Sequence, residues 1–551
     1  MVAFHFRFAG GLALVLAAAP AITAPAPVFS PASIEANVTY LADDLLEGRE
    51  TGTRGHEIAA RYVAAQFASY GLQPGGKDGS WFQRVTLQEA RLTDNVPARV
   101  TIAGAGKSQS WANATDVILG PSQLHPVTNI EAPVVFVGFG LDAPAQGFDD
   151  YAGLDVRGKI VAVLSSIPKG PPDEIWAHLA TQTGKMAAAR GAIGMVSIPT
   201  IESEALRPWA KSLPYAKRPR LTWLQPDGKP FVSAPGILGG ASLNAVSAAA
   251  LFAGAPVSLA AVQAEADKVD AKGFGGRPKG FALATTVHIE ASSATRQITS
   301  PNVIGRITGS DPKLRDEYVV LMGHLDHLGI RPEREGDKIY NGALDNAAGT
   351  AMLLEVARAF GKDAKKPKRS LLFVASTAEE KGLLGAEGFA NDPSVPIGSI
   401  VSVVDLDQPM LLYDFTDVIA FGGDHSTMGA VIAKAAAQAG VKVAVDPMPA
   451  QTIFVRSDHY TFVKRGVPAV MLATGYGNGG EAAWTKFLST NYHQPSDDLS
   501  QPINWAAGAK FAKVNYLVAR DIANAPERPR WYAGDYFGAT FAPDAPTAKR
   551  P

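Results

Sequence analysis

Cysteine is absent from all 551 residues, which removes disulfide frameworks, thiol nucleophiles and cysteine-held zinc or iron–sulfur centres. Any metal must be bound through His, Asp or Glu. Net charge is nearly absent as well: 51 Lys and Arg face 52 Asp and Glu, so no basic excess exists to attract a polyanion, and nucleic acid is not an expected partner. Long apolar runs are scarce. The one at the start, within MVAFHFRFAGGLALVLAAAPAITAPAP, has a single Arg7, an apolar stretch of about a dozen residues and then small residues, the layout of a secretory signal peptide. It is shorter than the ~18–20 residues a spanning helix needs. Residues 1–24 are therefore expected to be a cleaved signal, and the mature chain to be secreted or periplasmic without a membrane span.

What is present describes a folded protein. Hydrophobic residues make up 46% and charged residues 19%, and the length exceeds what one core supports, so two domains or one heavily inserted domain are expected. Near the start, residues 31 to 75 read as two helices around a Gly/Thr/Arg turn, the second from Gly55 to Tyr70 with Ile58, Ala59, Tyr62, Val63 and Phe67 at helical spacing. From 113 to 270 short β-branched runs appear (APVVFVGFG, GKIVAVLSS, AIGMVSI) around one helix predicted from Trp176 to Arg190, a small α/β unit of its own. Its acidic loop GFDDYAGLDVRGK lacks a His or Glu placed to complete a metal site, and reads as a solvated loop. After Asn302, apolar strands alternate with amphipathic helices at 346–360, 383–391, 428–439 and 503–525. That pattern predicts a mostly parallel sheet covered by helices on both faces, with ligands at the strand C-terminal ends.

Metal-type residues collect at those ends. YVVLMGHLDHLG sets His324 and Asp326 after a strand, NGALDNAAGTAMLL sets Asp345 at the mouth of a helix, and LLFVASTAEEKG sets Glu379 and Glu380 past the next strand. VVDLDQP and NYHQPSDD add Asp405, Asp407 and His493. Each alone reads as an ordinary polar residue; five segments converging on one sheet edge do not. Two divalent ions ~3.5–4 Å apart need a bridging carboxylate and terminal imidazoles and carboxylates. Asp345 suits the bridge. Of the adjacent glutamates one can bind metal while the other takes a proton from water, and Asp326 can hold the His324 tautomer.

The series GHLD, NGALDNAAG, AEEKGLLG, VVDLD, RSDHYTFVKRGVPAVML and NYHQPSDD resembles the co-catalytic di-zinc peptidase family of bacterial leucyl aminopeptidases, aminopeptidase Y and glutamate carboxypeptidase. The resemblance covers 271–525 and LLEGRETGTRGHEIAARYVAAQF. It implies a zinc exopeptidase fold, a mostly parallel mixed sheet sandwiched by helices, with a first part at 31–112, an inserted protease-associated domain at 113–270, the catalytic part at 271–525 and a Pro-rich tail at 526–551. It further implies two zinc ions per chain. Asp345 would bridge them, His324 and Asp407 would complete one, Glu380 and His493 the other, and Glu379 would be the general base. The chain departs from the family pattern at Asp405, where Asn is usual, and at Gln408, where Met is usual, so both Asp405 and Asp407 stand as candidates, with Asp407 the one at the strand's end. His327, His425 and His459 are expected to be decoys or helpers: His327 could enter as a ligand, although a supporting role is the expected one, and Asp458 and His459 open a short helix expected to support the substrate or the ligands rather than bind metal. The implied activity is an aminopeptidase acting on peptides. A glutamate-carboxypeptidase-like dipeptidase and a non-catalytic binding protein on the same scaffold are the alternatives.

Overall fold

The structure is a computed structural model, and it describes residues 1–2, 27–104, 106–170 and 173–551. The expected signal segment lies almost wholly outside the described residues. Among the described residues, no helix is long and apolar enough to cross a membrane.

The catalytic part is built on a mixed sheet. Four strands at its centre are parallel, in the spatial order Ser370–Ser376, Tyr318–His324, Ile400–Asp405 and Ala469–Thr474. They are apolar almost throughout and buried at every position but Tyr318, as strands covered on both faces must be. Antiparallel strands flank them: the end of Phe281–Ile307 on one side and Asp417–Phe421 on the other. The helices Arg54–Ser69, Gly349–Lys362, Met428–Ala439 and Trp505–Asn524 start and stop close to where their apolar spacing and caps predict. The helix expected from 346 begins at Gly349, because 343–348 form a wider turn first.

The 27-residue strand Phe281–Ile307 joins this sheet to a second body. Its first half pairs with Val127–Phe136 and Arg99–Gly104, and its middle with Phe82–Thr93. Beyond Val127–Phe136 lie three parallel strands, Ile160–Leu164, Gly194–Ile198 and Gly239–Leu243. They surround a separate hydrophobic core that includes Val100, Ile102, Val287 and Ile289, so strands on both sides of the 113–270 span contribute to it. The single helix expected from Trp176 to Arg190 is two, Asp173–Thr181 and Thr183–Ala189. The break falls in Thr-Gln-Thr-Gly, where the Thr181 hydroxyl donates to the His178 carbonyl and β-branched residues and Gly weaken the helix. The Pro-rich tail is folded onto the catalytic part, with Trp531 and Phe537 in its core.

Candidate active site

The ligand-type side chains meet where the parallel strands end. His324 closes the strand Tyr318–His324, and its Nε2 lies 3.1 Å from Asp407 Oδ1 and 3.3 Å from Asp345 Oδ1. On the other side of Asp345, His493 Nε2 lies 3.3 Å from Asp345 Oδ2 and 3.2 Å from Glu380 Oε2. His493 reaches inward from a backbone in the left-handed region, φ 57°, which turns the loop back toward the sheet. His324, Asp345 and Asp407 form one compact triad able to hold a cation, and His327, Asp345 and Glu380 form another. Asp345 belongs to both. Asp345, Glu379, Glu380 and Asp407 thus crowd four carboxylates into a buried space, and His327 Nε2 is buried with no hydrogen-bond partner among the described residues. Such a set, short of positive charge and with an orphaned imidazole nitrogen, fits divalent cations.

Glu379 stands apart from both triads, with Oε2 3.9 Å from His324 Nε2. Burial, then the neighbouring Asp407 and Glu380, push its carboxyl well above the usual carboxylate range against the pull of His324. Glu380 goes the other way: although burial opposes its charge, His493 and His327 hold it well below that range. Two adjacent glutamates therefore have opposite proton affinities. Burial also opposes charge on His324, yet Glu379 and Asp407 raise its pKa well above the ordinary imidazole value.

The supporting residues are partly as expected. The His324 tautomer is held through Asp326, but by its main-chain carbonyl, which accepts from Nδ1 at 3.1 Å, while the nearer carboxylate oxygen is 4.0 Å away. The loop curls its carbonyl under the ring, and the Asp326 carboxylate instead accepts from Thr51 Oγ1 and the Glu379 N–H at 2.9 and 3.1 Å. Asp405 lies outside the triads, accepting from Ser457 Oγ and the His459 N–H at 2.7 and 3.0 Å. Asp458 is bonded to Ser376 behind the strand ends. His327, expected to support, donates from Nδ1 to Glu380 Oε1 at 2.6 Å and lies in the second triad. His425 is elsewhere, bonded to Glu174 and Asp535.

Two residues that the sequence reading did not single out hold the cluster in shape. Asp497 accepts from the N–H groups of Leu344 and Asp345 at 2.9 and 3.0 Å, and burial pushes it up to about 6. The paired aspartates of NYHQPSDD were its only signal. Arg49, fully buried, donates to the carbonyls of Leu325, Asn341 and Gly342 at 2.9, 2.6 and 3.1 Å, tying the loops after His324 and before Asp345 together. Gly342 leaves room for the turn before Asp345: at φ 59° a Cβ there would lie 2.1 Å from the Asp345 carbonyl oxygen and 2.6 Å from the His327 ring.

Two recesses open beside the cluster. A narrow one of about 50 Å³ is lined by Glu379 and Asp407 and by Ile453, Met471, Trp484 and Leu488. A cleft of about 820 Å³ reaches Glu380 and His493 from the side of the second body.

Buried carboxylate and imidazole triads at the strand ends fit a metal-dependent enzyme, and comparison with known proteins points to a metallopeptidase. Residues 302–519 match the sequence model of Peptidase family M28, a family of metallopeptidases to which this stretch is similar. A protein of Pyrenophora tritici-repentis named "Probable zinc metalloprotease" is 25% identical over 258 residues, 41% of this chain and 58% of its own length. "Aminopeptidase NAALADL1" of Mus musculus is 34% identical over 126 residues, covering 22% of this chain and 15% of that protein. The chain thus spans little more than half the length of the first of these relatives and less of the second. Among solved structures, the aminopeptidase from Aneurinibacillus sp. strain AM-1 shares the fold, with a TM-score of 0.51, 19% identity, and coverage of 92% of this chain and 97% of that one.

Proposed function

We propose that the chain is an exported zinc aminopeptidase that removes the first residue from peptides. The observation that carries this reading is the pair of buried triads sharing Asp345, with Glu379 beside both and part of neither. His324, Asp345 and Asp407 would hold one zinc; the other would lie between Asp345 and Glu380, with His493, whose Nε2 is 3.3 and 3.2 Å from their oxygens, as its imidazole, and His327 of the second triad holding Glu380 through Nδ1. When bound, the ions supply Lewis acidity toward a carbonyl oxygen and acidify water. Glu379 takes the proton of the attacking water at its carboxylate and returns it to the leaving amine nitrogen. The narrow recess, with Ile453, Met471, Trp484 and Leu488 on its wall, receives the first side chain, and the cleft the rest of the peptide. The 113–270 unit is read as a protease-associated insertion and residues 1–24 as a signal peptide, on the sequence pattern described above.

The test is a substrate panel: amino-acid p-nitroanilides with free amino termini, the same compounds N-acetylated, and an acidic dipeptide with a blocked amino terminus. The first set should be cut and the other two refused, since acetylation removes the charged amine the site's carboxylates attract. Elemental analysis should find close to two zinc ions per chain.

One observation favours a second reading, a dipeptidase of the glutamate-releasing kind. Arg456 lines the narrow recess without a carboxylate partner among the described residues. Its guanidinium nevertheless has acceptors, the Gln451 carbonyl at 3.2 Å and Tyr492 Oη at 2.9 Å, and the Tyr492 ring stacks on His493 with centroids 3.8 Å apart. That chain of contacts makes Arg456 a brace for His493. Cleavage of the blocked acidic dipeptide, abolished in Arg456→Ala, would establish the second reading instead.

A further inference from the structure

The wide cleft differs from the narrow recess in charge. Five cationic side chains line it, Arg218, Arg220, Arg296, Arg331 and Lys381. Three are already neutralised within the protein. Arg296 binds both oxygens of Glu89 at 2.7 and 2.8 Å, and Arg331 and Lys381 share Glu50 at 3.0 and 2.8 Å. Arg218 and Arg220 have no carboxylate at ion-pair distance among the described residues, and Arg218 Nε is buried without any acceptor.

Both guanidinium groups are nonetheless held in place. That of Arg218 lies over the Tyr215 ring, 4.1 Å from its centroid, a contact that orients the charge without cancelling it. Arg220 occupies the space beside Gly120, where a Cβ would come within 3.1 Å of its Nε. Its carbonyl is anchored by Gln123 Nε2 at 2.9 Å. Arg218 is half-buried and Arg220 exposed toward the cleft; desolvation, and at Arg218 also the nearby Arg331 charge, lowers the pKa of both groups, which remain charged at neutral pH and gain from an anion brought to them. Both belong to the second body, on the stretch 215–221 that lines the same cleft as Glu380 and His493.

We propose that Arg218 and Arg220 form a receptor for a carboxylate on the leaving part of the peptide, so that the second body selects substrates whose released fragment is anionic. This rests on the aminopeptidase reading, in which the cleft holds everything after the first residue. The carboxylate comes either from an acidic side chain or from the peptide's own C-terminus. Both present the planar pair of oxygens that guanidinium groups bind best.

The experiment compares kcat/KM on the zinc-loaded enzyme for two pairs of peptides sharing the same first residue. Leu-Gly-Gly as free acid against its amide isolates the terminal carboxylate. Leu-Gly-Asp-amide against Leu-Gly-Asn-amide isolates the side chain. In at least one pair the anionic member should be preferred about fivefold or more, the effect of one or two partly exposed charge pairs, and added salt should erode the difference. The pair that responds identifies the source. In R218Q/R220Q the preference should fall to within about twofold, and in R218K/R220K it should largely persist. Equal turnover of both members in both pairs, or a preference unchanged in R218Q/R220Q, would overturn the inference while leaving the aminopeptidase reading intact. Failure to cut any of the four peptides would instead count against that reading.

Discussion

Two buried clusters in this molecule are made of the same residue types and have opposite characters. At His425, both ring nitrogens are engaged, Nδ1 by Asp535 at 2.6 Å and Nε2 by Glu174 at 2.7 Å. Asp535 also accepts from the N–H groups of Phe537 and Gly538, Glu174 accepts from the Gly422 N–H, and Arg550 stands 3.6 Å from Asp535. That cluster is closed, and it joins the second body, the catalytic part and the tail. At the strand ends the accounting is unbalanced: the carboxylates of Asp345, Glu379, Glu380 and Asp407 face the imidazoles of His324, His327 and His493, and His327 Nε2 has no hydrogen-bond partner among the described residues. Burial alone therefore does not mark a reactive site. What separates the two is whether every donor and acceptor is satisfied inside the protein.

The comparison can be broken at its strongest point first. Glu379→Gln should retain zinc and fold while turnover drops about 10²–10⁴-fold, because the amide cannot accept the proton. Glu380→Gln should instead lose zinc from one site. Metal content and kcat measured on both variants check this, and interchanged phenotypes would mean the roles of the pair are reversed.

The closed cluster should act on stability rather than turnover. His425 has a pKa raised to about 9, burial being outweighed by Asp535 and Glu174. A folded-state pKa above the unfolded value of about 6.5 means the contribution is complete below pH 6.5 and is lost as pH rises through 9. Between pH 7 and 9.5 the unfolding free energy should fall by about 2 kcal/mol from this group. Denaturation of His425→Ala across that range should lack the decline attributable to it, while its zinc content stays that of the parent.

The smallest effect sharpens the comparison. Asp497 touches no ligand side chain and only orients the backbone at Asp345. Asp497→Ala should weaken zinc binding by about 10–100-fold without eliminating the site, as loss of a group behind a metal ligand does. Competition with a chromophoric chelator would measure it; unchanged affinity would show that Asp345 is positioned without Asp497.

Much of the site was legible because strand ends are legible. The apolar runs 318–324, 370–376 and 400–405 are each followed at once by their polar residues, so His324, Glu379, Glu380 and Asp407 could be placed on one edge from the sequence. His327 was harder. Its spacing from His324 on a loop carries no period, and only the folded loop brings its Nδ1 to Glu380. Asp326 shows the same limit from another side, since the carbonyl under the His324 ring belongs to a residue expected to use its carboxylate.

Composition and periodicity determined the absence of thiol chemistry, the parallel sheet of 302–525, the helices against it and the set of residues from which ligands could be drawn. These follow from local patterns, in which burial on two faces or one stripe is written directly into the order of apolar residues. Tertiary structure alone decided that Arg49 and Asp497 tie the ligand loops together, that the tail closes over His425, and that Arg218 and Arg220 enter the cleft without a carboxylate partner among the described residues. The contacts of Arg49, Asp497 and His425 join segments separated by up to hundreds of residues, and the two arginines reach the cleft only because the fold brings their stretch to it. Such contacts have no sequence period, and so become visible only when the chain is folded.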